Sequence, residues 1–189
     1  MDKRQQLVEA AFSLFYRFGI HAVGINQILQ QAEVAKKTLY SHFASKEALV
    51  TAVLDYRDQR FYNWLESRMN QYEPGEQALL AMFHALDDWF NNRVASLDDF
   101  NGCFFINTCA EYGDPESPIH QQCNNHKQRV RELIQTQLKA MNIATEKQQE
   151  LVDALVLLKE GAIVLAQVQG DKLAAHKARQ LALQLFNNS

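Results

Sequence analysis

The sequence predicts an all-α fold of about nine helices, with a short three-helix N-terminal head on a longer helical body. Three observations predict it. Apolar residues recur at three- and four-residue spacing nearly throughout, with no convincing alternating strand. Glycine (7) and proline (3) are scarce among 189 residues and cluster between the periodic segments. Capping residues stand at the ends of those segments.

The elements follow in order. Leu7, Ala11, Leu14, Phe15 and Phe18 form one apolar stripe, and Gly19 is a natural terminator after it. Ile25, Ile28, Leu29 and Ala32 form a second, short stripe. Lys36 to Phe43 makes a third helix. Ser45 can cap a long fourth helix reaching about Asn70. Pro74 suits the first turn of a fifth, to about Asn92. A loop spans residues 95–101. Phe104 to Glu111 reads as a short sixth helix, closed by Gly113-Asp114-Pro115. Ser117-Pro118 starts a seventh, to about Met141. Thr145-Glu146-Lys147-Gln148 has capping-box form and opens an eighth. Asp171, after Gly170, caps a ninth that ends at the polar tail Asn187-Asn188-Ser189. The expected division is a head over residues 1–45 and a body over 46–189.

Composition narrows the function classes. Hydrophobic residues make up 47% of the chain, enough for a sizeable core and too many for disorder. No apolar run approaches the ~20 residues needed to cross a bilayer. The first residues lack an apolar signal core, so a soluble cytoplasmic protein without membrane contact is expected. Three cysteines (Cys103, Cys109, Cys123) are an odd number and too few for a disulfide scaffold. The net charge is −3 but unevenly placed. In residues 1–50 six basic residues oppose four acidic ones, while the remainder holds 13 basic and 18 acidic. A basic head on an acidic body steers a polyanion toward one end.

The head carries the chemistry for such a partner. The second and third helices, joined by Glu33-Val34-Ala35, have helix-turn-helix proportions. In that geometry the N-terminal residues of the second helix of the pair meet base edges in the major groove. Lys36 and Lys37 therefore reach double-stranded DNA first, and a lysine can meet a guanine O6/N7. Thr38, Tyr40 and His42 can donate to phosphates, and Lys46 can do so from the start of the fourth helix. Taken singly, two adjacent lysines are usually a solvated face and Tyr40 could be a half-buried core residue; together they make a recognition surface. No nucleophile-elbow glycines, phosphate loop or two-histidine metalloprotease motif supports an enzyme. No cofactor is expected.

Residues 4–54 resemble the N-terminal domain of the TetR family of transcriptional regulators. The resemblance is carried by Ala10-Ala11, Leu14-Phe15, Gly19, Ile28, Ala32, Val34, Lys36, Thr38-Leu39-Tyr40, His42-Phe43, Ser45-Lys46-Glu47 and Leu49. It implies a homodimeric repressor, bound to a palindromic operator and released by a small-molecule effector held in the body. The chain departs from the family pattern at three places. Glu33 stands where a turn glycine is usual, Lys37 replaces another glycine, and Val23-Gly24 stands where hydroxyl residues often contact phosphate. Gly24 and Asn26 are the DNA-facing candidates there.

The body offers walls for an effector. Trp64, Phe83 and Phe104 belong to a concentration of aromatic residues in the middle helices, each of which can equally be ordinary core. Cys103, Asn107 and Glu111 lie at i, i+4 and i+8, roughly on one helix face. If that face looks inward, it supplies polar groups to an apolar cavity; the plainer alternative is a helix packed with buried thiols. Cys103, near a helix start, is also the best candidate for a thiol that senses electrophiles or oxidants. His120-x-x-Cys123-x-x-His126 has metal-like spacing, but on one helix these residues spread over too wide an arc for a tetrahedral site, so no metal is expected. The eighth helix is apolar on two faces. Leu151, Leu155, Leu158, Ala162 and Leu165 form one, to which Leu173, Leu181 and Leu185 of the last helix can be added as a four-helix dimer seam. The alternative is a central core helix.

Overall fold

The computed structural model describes residues 2–187, so Asn188 and Ser189 of the expected polar tail lie outside the described residues. Among these residues there are nine α-helices and no strand: α1 Lys3–Phe18, α2 Ile25–Ala32, α3 Lys36–His42, α4 Lys46–Met69, α5 Glu76–Phe90, α6 Phe104–Glu111, α7 Pro118–Lys139, α8 Thr145–Gln169 and α9 Ala174–Asn187. A single 3-10 turn, Ala95–Leu97, sits in the loop before α6.

Local chemistry explains most of the ends. Asp2 accepts from the Arg4 N–H at 3.2 Å and starts α1. Gly19, at φ 87°, ends it by returning its N–H to Phe15. Ser45 Oγ accepts from the Ala48 N–H at 3.2 Å, and Ser117 Oγ does the same for His120 at 3.1 Å. Gly170 takes the left-handed conformation after α8, and Asp171 then accepts from the Leu173 N–H. Two expected starts are corrected. Helix α5 begins at Glu76, not Pro74, because Gly75 sits at φ 125°, outside any helical conformation, with its N–H turned to Gln137 Oε1. The capping box at Thr145 does not form. Thr145 is already inside α8, after Ala144, and the Gln148 amide donates to Ile143 O instead.

The chain divides into two compact units, and neither coincides with a boundary at residue 45. The first holds residues 1–59 and 103–126; the second holds 60–102 and 127–189. In the first, α1 packs on α2 and α3. Its core contains Leu7, Ala11, Phe15, Ile28, Leu39 and Phe43 from the head, with Leu49 and Val53 of α4. Phe18 shares the α1 stripe by spacing but is 54% exposed, because it lies in the last turn where the chain leaves the core at Gly19. Phe104 of α6 closes on Phe12 and Tyr16 with ring centroids 5.5 and 6.1 Å away. The buried Arg57 guanidinium lies over the same two rings at 5.3 and 5.2 Å.

In the second unit α9 packs against α5 and α8. Leu79, Met82, Phe83, Leu86 and Phe90 of α5 are buried, as are Leu151 and Leu155 of α8. An ionic cluster is set into this unit, where Glu160 is held by Lys127 at 2.7 Å and by the buried Lys159. Burial alone would push the Glu160 carboxyl up, but the two ammonium groups outweigh it and hold the pKa down at about 2.

Candidate nucleic-acid interface

The turn between α2 and α3 is a Schellman ending. The Glu33 N–H returns to Gln30 O at 3.3 Å and the Val34 N–H to Leu29 O at 3.2 Å. That motif needs a left-handed residue, and Glu33 occupies it at φ 50°, ψ 45°. Glycine is the usual residue in that conformation, so glutamate here carries strain. The turn seats α3 by its inward residue, Leu39, which is fully buried. Beyond α3 the Arg4 guanidinium of α1 lies over the Phe43 ring at 5.2 Å.

With Leu39 inward, the other face of α3 points out. Lys36, Lys37, Tyr40 and His42 are exposed and Thr38 is half-buried. The Lys36 ammonium stands 6.0 Å from the Tyr40 ring centroid, which holds that ring in the solvent beside a cation. Ser41 Oγ turns back to Thr38 O and does not face outward. At the start of α2 both Gly24 and Asn26 are exposed. Gly24 is extended at φ −85°, and its N–H is already taken by the Gln27 side chain at 2.7 Å. Gln27 is absent from the residues expected at this surface, although its position three residues after the cap is the signal that could have found it.

Lys46 departs from its expected place. Its ammonium donates to Ile20 O at 2.6 Å and lies over the Phe15 ring at 5.7 Å. It is therefore engaged within the unit, because the α1–α2 turn brings an uncapped carbonyl within its reach. Glu111 departs likewise. Expected to line an effector cavity, its carboxylate accepts from the backbone N–H groups of Ile20 and His21 at 2.7 and 2.6 Å.

The remaining effector candidates are not brought together. Trp64 and Phe83 belong to the second unit, whereas Cys103, Phe104, Asn107 and Glu111 belong to the first. Phe83 is buried in α5, and Trp64 packs on Phe61 at 5.3 Å. Phe104 is part of the aromatic cluster on α1, and Asn107 is half-buried. Cys103 precedes α6 and is 5% exposed, so it lacks the access expected of a reactive thiol. His126, singled out in the sequence by metal-like spacing alone, has another place. It is buried, stacked on Phe105 at 3.6 Å, with Nδ1 2.6 Å from Asp58 Oδ1. Its spacing partner His120 faces Tyr112 O at 2.8 Å. Among the described residues no group of three or more metal-capable side chains comes together.

The expected seam on α8 and α9 also splits. Leu151 and Leu155 are 2% and 0% exposed, so they serve the chain's own core and cannot be surface contacts. An α-helix turns 100° per residue, and the 4-3-4-3 stripe drifts from the inward to the outward face along α8. Leu158, Ala162, Leu165, Leu181 and Leu185 line an open apolar groove of about 580 Å³ between α8 and α9. Leu157 and Val168, outside the expected seam, are 72% and 75% exposed, and Leu173 is 61% exposed.

A seven-residue helix presenting lysines and an aromatic hydroxyl, seated by a left-handed turn on two supporting helices, defines a helix-turn-helix DNA-binding protein. Comparison with known proteins narrows the class. Residues 7–53 match the family model for bacterial regulatory proteins of the tetR family. Residues 77–181 match the model for the C-terminal domain of LmrA/YxaF-like transcriptional regulators. The chain belongs to the TetR family of transcriptional regulators. The HTH-type transcriptional regulator YjdC of Escherichia coli is 26% identical over 155 residues, covering 79% of this chain and 78% of that one. The HTH-type transcriptional regulator LmrA of Bacillus subtilis is 24% identical over 170 residues, covering 87% and 86%. Among solved structures, a TetR-family transcriptional regulator from Streptomyces coelicolor superposes with a TM-score of 0.86 at 26% identity, covering 98% of this chain and 95% of that one. No described helix is long and apolar enough to cross a membrane.

Proposed function

We propose that the chain is a homodimeric repressor that binds a palindromic operator through α3 and leaves it when a small-molecule effector binds. The observation that carries DNA binding is the outward face of α3, where Lys36, Lys37, Tyr40 and His42 are exposed together while Leu39 anchors the helix beneath them. Lys36 and Lys37 read base edges, and Thr38, Tyr40 and His42 fix the register on phosphates. Gly24 and Asn26 flank the same duplex from the start of α2. The exposed Leu157, Val168, Leu173 and Leu181 around the α8–α9 groove support a second copy of the chain as its partner, since patches of this kind mark association surfaces. A twofold pair of heads then meets successive major grooves ~34–36 Å apart.

Selection from a random duplex library, followed by footprinting, tests this. The expected result is a palindrome protected at two half-sites. The combined Lys36→Ala, Lys37→Ala and Tyr40→Ala variant should lose that binding, and retained affinity would reject the assignment of α3. Effector release through Cys103, as a thiol sensor, is the alternative reading. Its burial weighs against it, and Cys103→Ser separates the two, because only a thiol mechanism loses oxidant- or electrophile-induced release in that variant.

A further inference from the structure

The turn between α1 and α2 is gripped from two sides. Glu111, the last residue of α6, accepts from the Ile20 N–H at 2.7 Å and the His21 N–H at 2.6 Å, one carboxylate oxygen to each. Lys46, the first residue of α4, donates to Ile20 O at 2.6 Å. Both peptide polarities of the turn are thus satisfied by charged side chains from other helices. The fit extends to its neighbours. A Cβ at Gly19 would stand only 3.3 Å from Glu111 Oε1, and His21 Nδ1 lies 3.4 Å from Oε2 with its ring against Tyr112 at 5.0 Å. Ile20 itself is buried, whereas His21 is 61% exposed, so loss of the carboxylate opens the His21 N–H to water without opening the core.

The geometry points to Glu111 as a positioning residue for DNA binding. It touches no DNA. It fixes the six-residue connection that sets where α2 and α3 stand on α1, and through them where the lysines of α3 stand in the groove. Hydrogen bonds to an ionised carboxylate are the stronger class, and two in parallel define direction as well as distance. This assignment rests on the regulator reading above and adds a residue on which it depends.

The test uses the full chain and the duplex that the wild type selects from a random library. Glu111→Ala is expected to weaken binding by about tenfold or more, the loss typical of removing charge-assisted hydrogen bonds. Glu111→Gln keeps one acceptor oxygen but sets an amide donor against the second N–H, so it should lose less than Ala. The amide protons of Ile20 and His21 should shift upfield in both variants while the thermal midpoint stays within a few degrees of wild type. Unchanged affinity in Glu111→Ala overturns the assignment. So does a loss of affinity that is equal in both variants and matched by a falling thermal midpoint, which is the mark of a merely structural group. Wild-type binding to the selected duplex keeps this outcome apart from failure of the regulator reading, for which the wild type itself selects nothing.

Discussion

Replacing Glu33 by glycine should strengthen the helix-turn-helix. Glu33 sits at φ 50°, ψ 45° and closes the Schellman turn with its N–H. A non-glycine residue held in the left-handed region costs about 1–2 kcal/mol. Glycine removes that strain but gives back about 0.4–1 kcal/mol through the greater freedom of its unfolded chain. The net gain is about 0.5–1 kcal/mol, confined to the unit that contains α2 and α3. Native-state hydrogen exchange at the amides of Ile28 and Leu39, both fully buried, reads it directly as slower exchange by roughly two- to fivefold. Glu33→Ala is the control. Alanine keeps a Cβ in the same left-handed conformation, so its exchange should stay close to wild type. If the glycine and alanine variants protect these amides equally, the strain argument is refuted, and any common effect belongs to the absent carboxylate.

Other outcomes follow from the same geometry. Leu155→Ala removes a wholly buried side chain and should cost about 2–5 kcal/mol in urea unfolding, whereas Leu157→Glu, on the exposed side of α8, should leave the fold intact and shift sedimentation from dimer to monomer. Glu160 titrates at about 2, below its ordinary value of 4.5, so its contribution to stability is present above pH 4.5 and is lost as pH falls from there toward 2. Glu160→Gln should therefore flatten the acid limb of an unfolding curve in that window and leave Lys127 and Lys159 without their shared carboxylate. Removing the Lys36 and Lys37 charges should make duplex binding less steeply dependent on salt, by ~0.9 in the logarithmic slope for every phosphate no longer neutralised, measured by fluorescence anisotropy across salt concentrations.

What could be read from the sequence was local. The stop at Gly19, the caps at Ser45 and Ser117 and the limits of α6 all depend on chemistry within four residues, and the structure keeps them. Thr145 shows the limit of that approach, since a capping motif can be present in sequence while the helix begins one residue earlier. Burial by periodicity was right about which faces are apolar and incomplete about what covers them. Leu151 and Leu155 carry the same spacing as Leu158 and Leu165 yet lie in the core, and no repeat distinguishes an inward neighbour from a second chain. Glu111 and Lys46 escaped for a different reason. Their partners are backbone groups of Ile20 and His21, 90 and 26 residues away, and backbone polarity leaves no mark in a side-chain pattern.

The head and α6 are built as one piece from two stretches of chain, with residues 103–126 closing on residues 1–59. Grafting experiments must respect that. A transplant cut at residue 45 would strip Phe12 and Tyr16 of the Phe104 ring and would leave the Ile20 and His21 amides without their carboxylate. The transferable cassette is discontinuous, and a chimaera that exchanges operator preference between relatives needs both pieces from the same parent. Substitutions in α6 and in the α1–α2 turn are accordingly expected to be acceptable in pairs where neither is acceptable alone.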